Sequence, residues 1–160
     1  KRANVIVVTK CPEDLLLEEQ MDIIKKIKPG KGQEVFLAGI AYGEQVLGRN
    51  RSLEIKDLQK THFTLVTGIA NPKPMVKYLE AQGLKFDHKA YKDHHNFTEA
   101  EIRELQHEEL IITTEKDYMR LRNEISREKI FYLPIKHQFL NRGEEFNGLV
   151  KNYVQKNRTL

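Results

Sequence analysis

The sequence predicts an α/β fold, a mostly parallel sheet with flanking helices. Three observations carry this. Short apolar or β-branched runs end at Thr9, Thr67, Tyr91 and Thr113. Each is followed by a turn and a helical period with its own start signal. The run Asn4–Thr9 is continuous and β-branched, as in a strand buried on both faces. At 160 residues the chain suits one domain or two small lobes. Folding would bury about 70% of its surface, enough for a core without cross-links.

The elements follow in order. Asn4–Thr9 is a β-branched run typical of a buried parallel strand. Pro12-Glu13-Asp14 opens a helix, Lys25, Lys26 and Lys28 close it, and Pro29-Gly30 stops it. That charge order suits the helix dipole. Leu17, Met21 and Ile24 line one face, with Leu16, Ile23 and Ile27 beside it. Glu34–Val46 is strand-like, with Gly39 and Gly43 marking a bend or bulge. Leu47–Lys60 is polar and reads as a turn and lobe boundary, a β-ribbon linker pairing Val35–Ala41 with Ser52–Ile55. The division is therefore set at 1–50 and 51–160.

The second region is more regular. His62–Thr67 is a strand, and Asn71-Pro72 caps and starts a helix. Met75, Tyr78 and Leu79 form that helix's inner face, and Gly83 ends it. Leu84–Tyr91 is the next strand. Thr98-Glu99-Ala100-Glu101 is a capping box ahead of Ile102 and Leu105. Leu110–Thr113 is a short strand, Thr114–Asp117 caps a helix in which Met119 and Leu121 pack, and Lys129–Leu133 is a strand ended by Pro134. Phe146, Leu149, Val150, Tyr153 and Val154 fall at i, i+3, i+4, i+7 and i+8 of a terminal amphipathic helix.

Composition narrows the function classes. Lys plus Arg is 27 and Asp plus Glu is 23, a net charge of +4. The mixed sign permits a phosphorylated partner without demanding one. Aromatic residues form no stripe with the basic ones, so no nucleic acid is expected. The single cysteine, Cys11, cannot close a disulfide within the chain and reads as a buried thiol in a reducing compartment. The apolar runs Val5–Val8 and Phe36–Tyr42 are far short of the about 20 residues that span a bilayer. The start at Lys1, without a methionine, reads as a processed or excised piece.

Ligands of α/β sheets sit beyond the carboxyl ends of the strands. Lys92-Asp93-His94-His95-Asn96-Phe97 lies there. Histidine titrates near neutral pH, and an adjacent carboxylate can fix its tautomer and raise its basicity. The alternative is a turn capped by Asp93 with both histidines at the surface. The chain offers one Cys and no HExxH, so no protein-held metal is expected. Gly68, between a strand and the helix at Asn71, supplies a tight turn, with anion contact at the helix start as the alternative. Thr114 and Asp117 are explained by capping, while Lys116 can meet an acid or a phosphate.

Three phrases stand in a specific order: VTGIANP at Val66–Pro72, DHHNF at Asp93–Phe97 and TEKD at Thr114–Asp117, after RANVIVVTKCP at Arg2–Pro12. Together they resemble the C-terminal half of the tetraacyldisaccharide 4'-kinases, the lipid A 4'-kinases of Gram-negative bacteria, and the lysine-rich character resembles Bacteroidetes-type members. The resemblance covers essentially the whole chain. It implies a Rossmann-like C-terminal lobe of a P-loop kinase that moves the ATP γ-phosphate to the 4'-hydroxyl of tetraacyldisaccharide 1-phosphate. It implies ATP and Mg²⁺ bound mainly by the N-terminal half. This sequence has neither GxxxxGKS nor GxxxxGKT, and neither the family's GDEP nor its DDGFQH segment. The chain is therefore expected to bind no MgATP productively and to be inactive alone.

By resemblance, His94 matches the histidine of the family's DH motif and would tune, orient or share a proton with the catalytic aspartate. Asp93 would orient His94. Gly68, Asn71, Thr114, Lys116 and Asp117 would lie near substrate or phosphate. The expected partner is an acidic glycolipid, with no obligate protein partner. The expected place is the cytoplasmic face of the inner membrane, peripherally, with this piece itself soluble. Two rivals stand beside this reading. One is a DHH-type manganese phosphoesterase, although the strand ending at Thr9-Lys10 supplies no carboxylate for it. The other is a non-catalytic anion-binding α/β domain.

Overall fold

The computed structural model describes residues 3–157; Lys1, Arg2 and residues 158–160 lie outside that range, and with Arg2 the first residue of the RANVIVVTKCP phrase. The chain divides into two units. One is Tyr42–Ile135, and the other joins the residues up to Ala41 with those from Lys136 on. The sequence sets its boundary at 50/51; the division in the structure falls at 41/42 and groups the terminal helix with the first strands.

The first unit is built on a three-stranded sheet in the order β1-β2-β9. Strand β1 is Val5–Cys11 and β2 is Glu34–Tyr42. They pair in parallel from Val5↔Glu34 to Val8↔Leu37, joined through α1, Leu17–Ile27. Strand β9, Ile135–Phe139, and helix α5, Gly143–Asn157, complete the unit. Phe36 is fully buried and meets Phe139 and Phe146 edge-on at 6.0 and 5.3 Å. The sequence expects wider inner faces than these. Leu17 and Met21 of α1 are exposed, as are Leu149, Val150, Tyr153 and Val154 of α5. Strand β1 is only half-buried, with Val7 exposed.

The ribbon between Val35–Ala41 and Ser52–Ile55 does not form. The extended run stops at Gly43-Glu44, and Gln45–Leu47 becomes a separate strand, β3. Its partner is β4, Ser52–Glu54, in an antiparallel hairpin. The Gly48 N–H closes the hairpin loop on the Arg51 carbonyl at 2.8 Å. A local loop costs less closure entropy than a long-range ribbon. Next to the break, the Gly43 N–H donates to the Pro134 carbonyl at 2.9 Å. A Cβ on Gly43 would fall 2.8 Å from the Pro134 ring, so only glycine fits.

The second unit carries a six-stranded sheet in the order β4-β3-β8-β7-β5-β6. After the hairpin comes a 3₁₀ helix, Ile55–Lys60. Then follow β5 (Phe63–Thr67), α2 (Lys73–Ala81), β6 (Phe86–Ala90), α3 (Glu99–His107), β7 (Ile111–Thr113), α4 (Glu115–Leu121) and β8 (Ile130–Tyr132). Strands β6, β5, β7 and β8 are parallel, as expected. Alternate residues face opposite ways along a strand. Phe63, Leu65, Ile112 and Phe131 accordingly pack with Met75 and Leu79 of α2. Val66, Ile111 and Ile130 pack with Leu105 of α3 and with Tyr118 and Leu121 of α4. Helices therefore cover both faces. Met119, expected to pack, points outward and is exposed. Pro72 is the N-cap of α2, so Asn71 stands one residue outside the helix rather than capping it.

Candidate functional site

Strands β5, β6 and β7 deliver their carboxyl ends to one edge of the sheet. From β5 the chain goes first to the neighbour on one side, β6, and then crosses to the other side, β7. The strand order reverses between β5 and β7, and such a switch point is where α/β sheets open a crevice.

Here a carboxylate sits at that point. Asp117, in the first turn of α4, is fully buried. Its Oδ2 accepts from the Gly68 N–H at 2.7 Å and from the Thr114 hydroxyl at 2.8 Å. Thr114 caps α4 in return, its Oγ1 accepting from the Asp117 N–H at 3.2 Å. Oδ1 has no hydrogen-bond partner among the described residues, and the Arg120 guanidinium is its nearby cation, at 3.7 Å. A Cβ at position 68 would lie 3.0 Å from that oxygen. A side chain at position 68 would therefore crowd the Asp117 carboxylate.

The loop after β6 is anchored differently. The Tyr91 N–H donates to the Thr67 carbonyl at 2.7 Å. The Lys116 ammonium meets Asp93 Oδ1 at 2.6 Å and holds that carboxyl below the usual carboxylate range. The same oxygen accepts the His94 N–H at 3.0 Å. That bond supports a left-handed backbone at His94, φ 59°, a conformation costing about 1–2 kcal/mol outside glycine. The His94 ring is 77% exposed, with Nε2 3.8 Å from Asp93 Oδ2. Asp93 therefore fixes the backbone of His94 and not its ring, which stands beyond hydrogen-bonding distance.

His95 faces inward. Its ring stacks on Tyr91 at 4.7 Å and meets Phe97 edge-on. Its Nε2 bonds the Glu101 carboxylate at 2.9 and 3.1 Å. Glu101 also closes the capping box of α3 by accepting the Thr98 N–H at 2.7 Å. That bond first, and then His95, pull the Glu101 carboxyl down to about 2. The His95 carbonyl accepts from Arg120 Nη1 at 3.0 Å.

The structure thus gathers Asp93, His94 and Lys116 in one group and Gly68, Thr114 and Asp117 in another, while Asn71 is exposed and joins neither. Sequence reasoning misses Arg120 and the His95–Glu101 anchor. The signal for Arg120 is its spacing: four residues after Lys116, it shares that residue's helix face. The buried thiol expected at Cys11 is found, at 7% exposure.

The sequence profile of the tetraacyldisaccharide-1-P 4'-kinase family matches residues 1–155. The chain is 35% identical over 159 residues to the tetraacyldisaccharide 4'-kinase of Flavobacterium johnsoniae, covering 98% of this chain and 46% of that protein. It is 30% identical to that of Phocaeicola vulgatus, covering 98% and 47%. The chain spans about half the length of the curated relatives it matches. Among solved structures it is similar to a crystal structure of LpxK from Aquifex aeolicus in complex with ATP. The TM-score is 0.55 at 19% identity, over 92% of this chain and 51% of that one, a likeness of fold.

Proposed function

The chain belongs to the tetraacyldisaccharide-1-P 4'-kinase family, and from that premise we propose that it works as the C-terminal portion of a lipid A kinase. In the proposed reaction the 4'-hydroxyl oxygen of tetraacyldisaccharide 1-phosphate attacks the γ-phosphorus of ATP. The bond to the bridging oxygen breaks, ADP leaves, and the hydroxyl proton passes to a base. The observation that carries the reading is the presentation of His94. Its ring is exposed on a supported left-handed turn at the sheet edge where ligands of this architecture bind.

In this reading His94 shares or directs the hydroxyl proton together with an aspartate from the other half of the enzyme. Asp93 and Lys116 hold the turn that presents it. The described residues gather no three His, Cys, Asp or Glu side chains able to hold a metal ion, and the sequence has no phosphate loop. In this reading ATP and Mg²⁺ are held mainly by the N-terminal half of the enzyme. The same lack of a ligand cluster weighs against a DHH-type phosphoesterase. The proposed setting is the cytoplasmic face of the inner membrane, peripherally; no helix among the described residues is long and apolar enough to cross a membrane. The proposed partner is the acidic glycolipid substrate.

His94→Ala in the full-length protein tests this. If His94 assists proton transfer, kcat at saturating substrates falls about 10²-fold or more. An unchanged kcat would remove His94 from the mechanism.

A further inference from the structure

We infer that α4 is a two-pronged clamp on the histidine loop, with Arg120 the positioning residue that registers His94 against the end of β5. Lys116 and Arg120 stand four apart and share a helix face. Lys116 grips Asp93, the residue before His94, at 2.6 Å. Arg120 grips the carbonyl of His95, the residue after it, at 3.0 Å. His94 is the residue between these two anchors, and its ring is exposed.

The prongs differ in what backs them. The Lys116–Asp93 pair is open to solvent. Arg120 is backed by the buried Asp117, whose Oδ1 lies 3.7 Å away. The other oxygen of Asp117 holds the Gly68 N–H at 2.7 Å. A buried carboxylate needs a compensating cation, which keeps the guanidinium on this side of α4. A planar guanidinium with several donors serves a carboxylate and a carbonyl together, whereas an ammonium is a single point charge. The path from Gly68 through Asp117 and Arg120 to His95 therefore ties the histidine loop to the central strand of the edge. Register matters because a displacement of about 1 Å can cost about 10²-fold in rate.

This inference rests on the proposed role of His94, and its test uses the full-length protein. In Arg120→Met, kcat should fall about 10²-fold while KM for ATP stays within about twofold. The His95 amide, bonded to the Lys92 carbonyl at 3.1 Å, should exchange its hydrogen about tenfold faster, and the Gly68 amide should stay protected. Arg120→Lys should recover part of kcat. Arg120→Met also leaves the buried Asp117 carboxylate without its nearby cation and should lower the urea midpoint; adding Asp117→Asn removes that charge, so the midpoint should recover while kcat stays low. A wild-type kcat in folded Arg120→Met, or recovery of kcat together with stability in the double variant, would overturn the positioning role. If His94→Ala leaves kcat unchanged while Arg120→Met still loosens the His95 amide, the role of His94 has failed and the clamp stands. An unloosened amide removes the clamp itself.

Discussion

Asp93 and Asp117 lie at one edge of one sheet in opposite surroundings. Asp93 is 40% exposed and answers to a lysine ammonium. Asp117 is sealed and accepts from a backbone N–H and a hydroxyl. The exposed acid sits in a loop open to water. The sealed one sits at the switch point, where its hydrogen bonds fix how the loop after β5 meets α4. The difference separates presentation from alignment: one loop offers a side chain, and the other sets where it is offered.

The strongest way to break this contrast is Asp117→Ala. It strands the Gly68 N–H, the Thr114 hydroxyl and the Arg120 guanidinium, and should cost about 3 kcal/mol in urea unfolding. A loss below about 1 kcal/mol would place Asp117 with ordinary surface acids. Gly68→Ala should cost about 1–2 kcal/mol, because its Cβ meets Asp117 Oδ1 at 3.0 Å. In the double variant the Gly68→Ala cost should largely vanish, since the carboxylate is gone.

Acid sharpens the contrast from the loop side. The Glu101 carboxyl titrates at about 2, against an ordinary value of 4.5. A depressed carboxylate stabilises the fold fully above its unfolded value, and that stability is lost as pH falls from about 4.5 toward 2. Urea midpoints across that window should drop in the wild type and drop less steeply in Glu101→Gln. Equal slopes would show that the His95 anchor adds nothing. The smallest effect belongs to Lys116→Met. Loss of the exposed pair should leave the urea midpoint almost unchanged, while the Asp93 carboxyl rises toward its ordinary range, read by NMR titration.

Much of this edge is legible in the sequence. Apolar runs at β5 and β7 and the helix-start signals after each strand give the parallel strands and the loops after β5, β6 and β7, and the Thr98 capping box forms as written. The partner choice of β2 is not legible, because pairing is non-local and Gly43-Glu44 leaves several registers open. Strand β9, Ile135–Phe139, escapes notice because Lys136, His137 and Gln138 are polar and exposed. Arg120 resembles any solvated helix cation until the His95 carbonyl is placed beside it. His94 and His95 look alike in sequence. Tyr91 and Glu101, supplied by different elements, draw one ring inward and leave the other out.

The bond between Gly43 and Pro134 has a modular consequence. The chain enters the second unit just before Gly43 and leaves it just after Pro134, and those two backbones are tied at 2.9 Å. The whole sheet edge, with both carboxylates and the clamp helix, is therefore an insert whose two ends meet. Domain insertions succeed where termini lie together. Residues 42–135 could be exchanged between relatives as one cassette, and the flanking strands would still have only a single hydrogen bond's width to bridge.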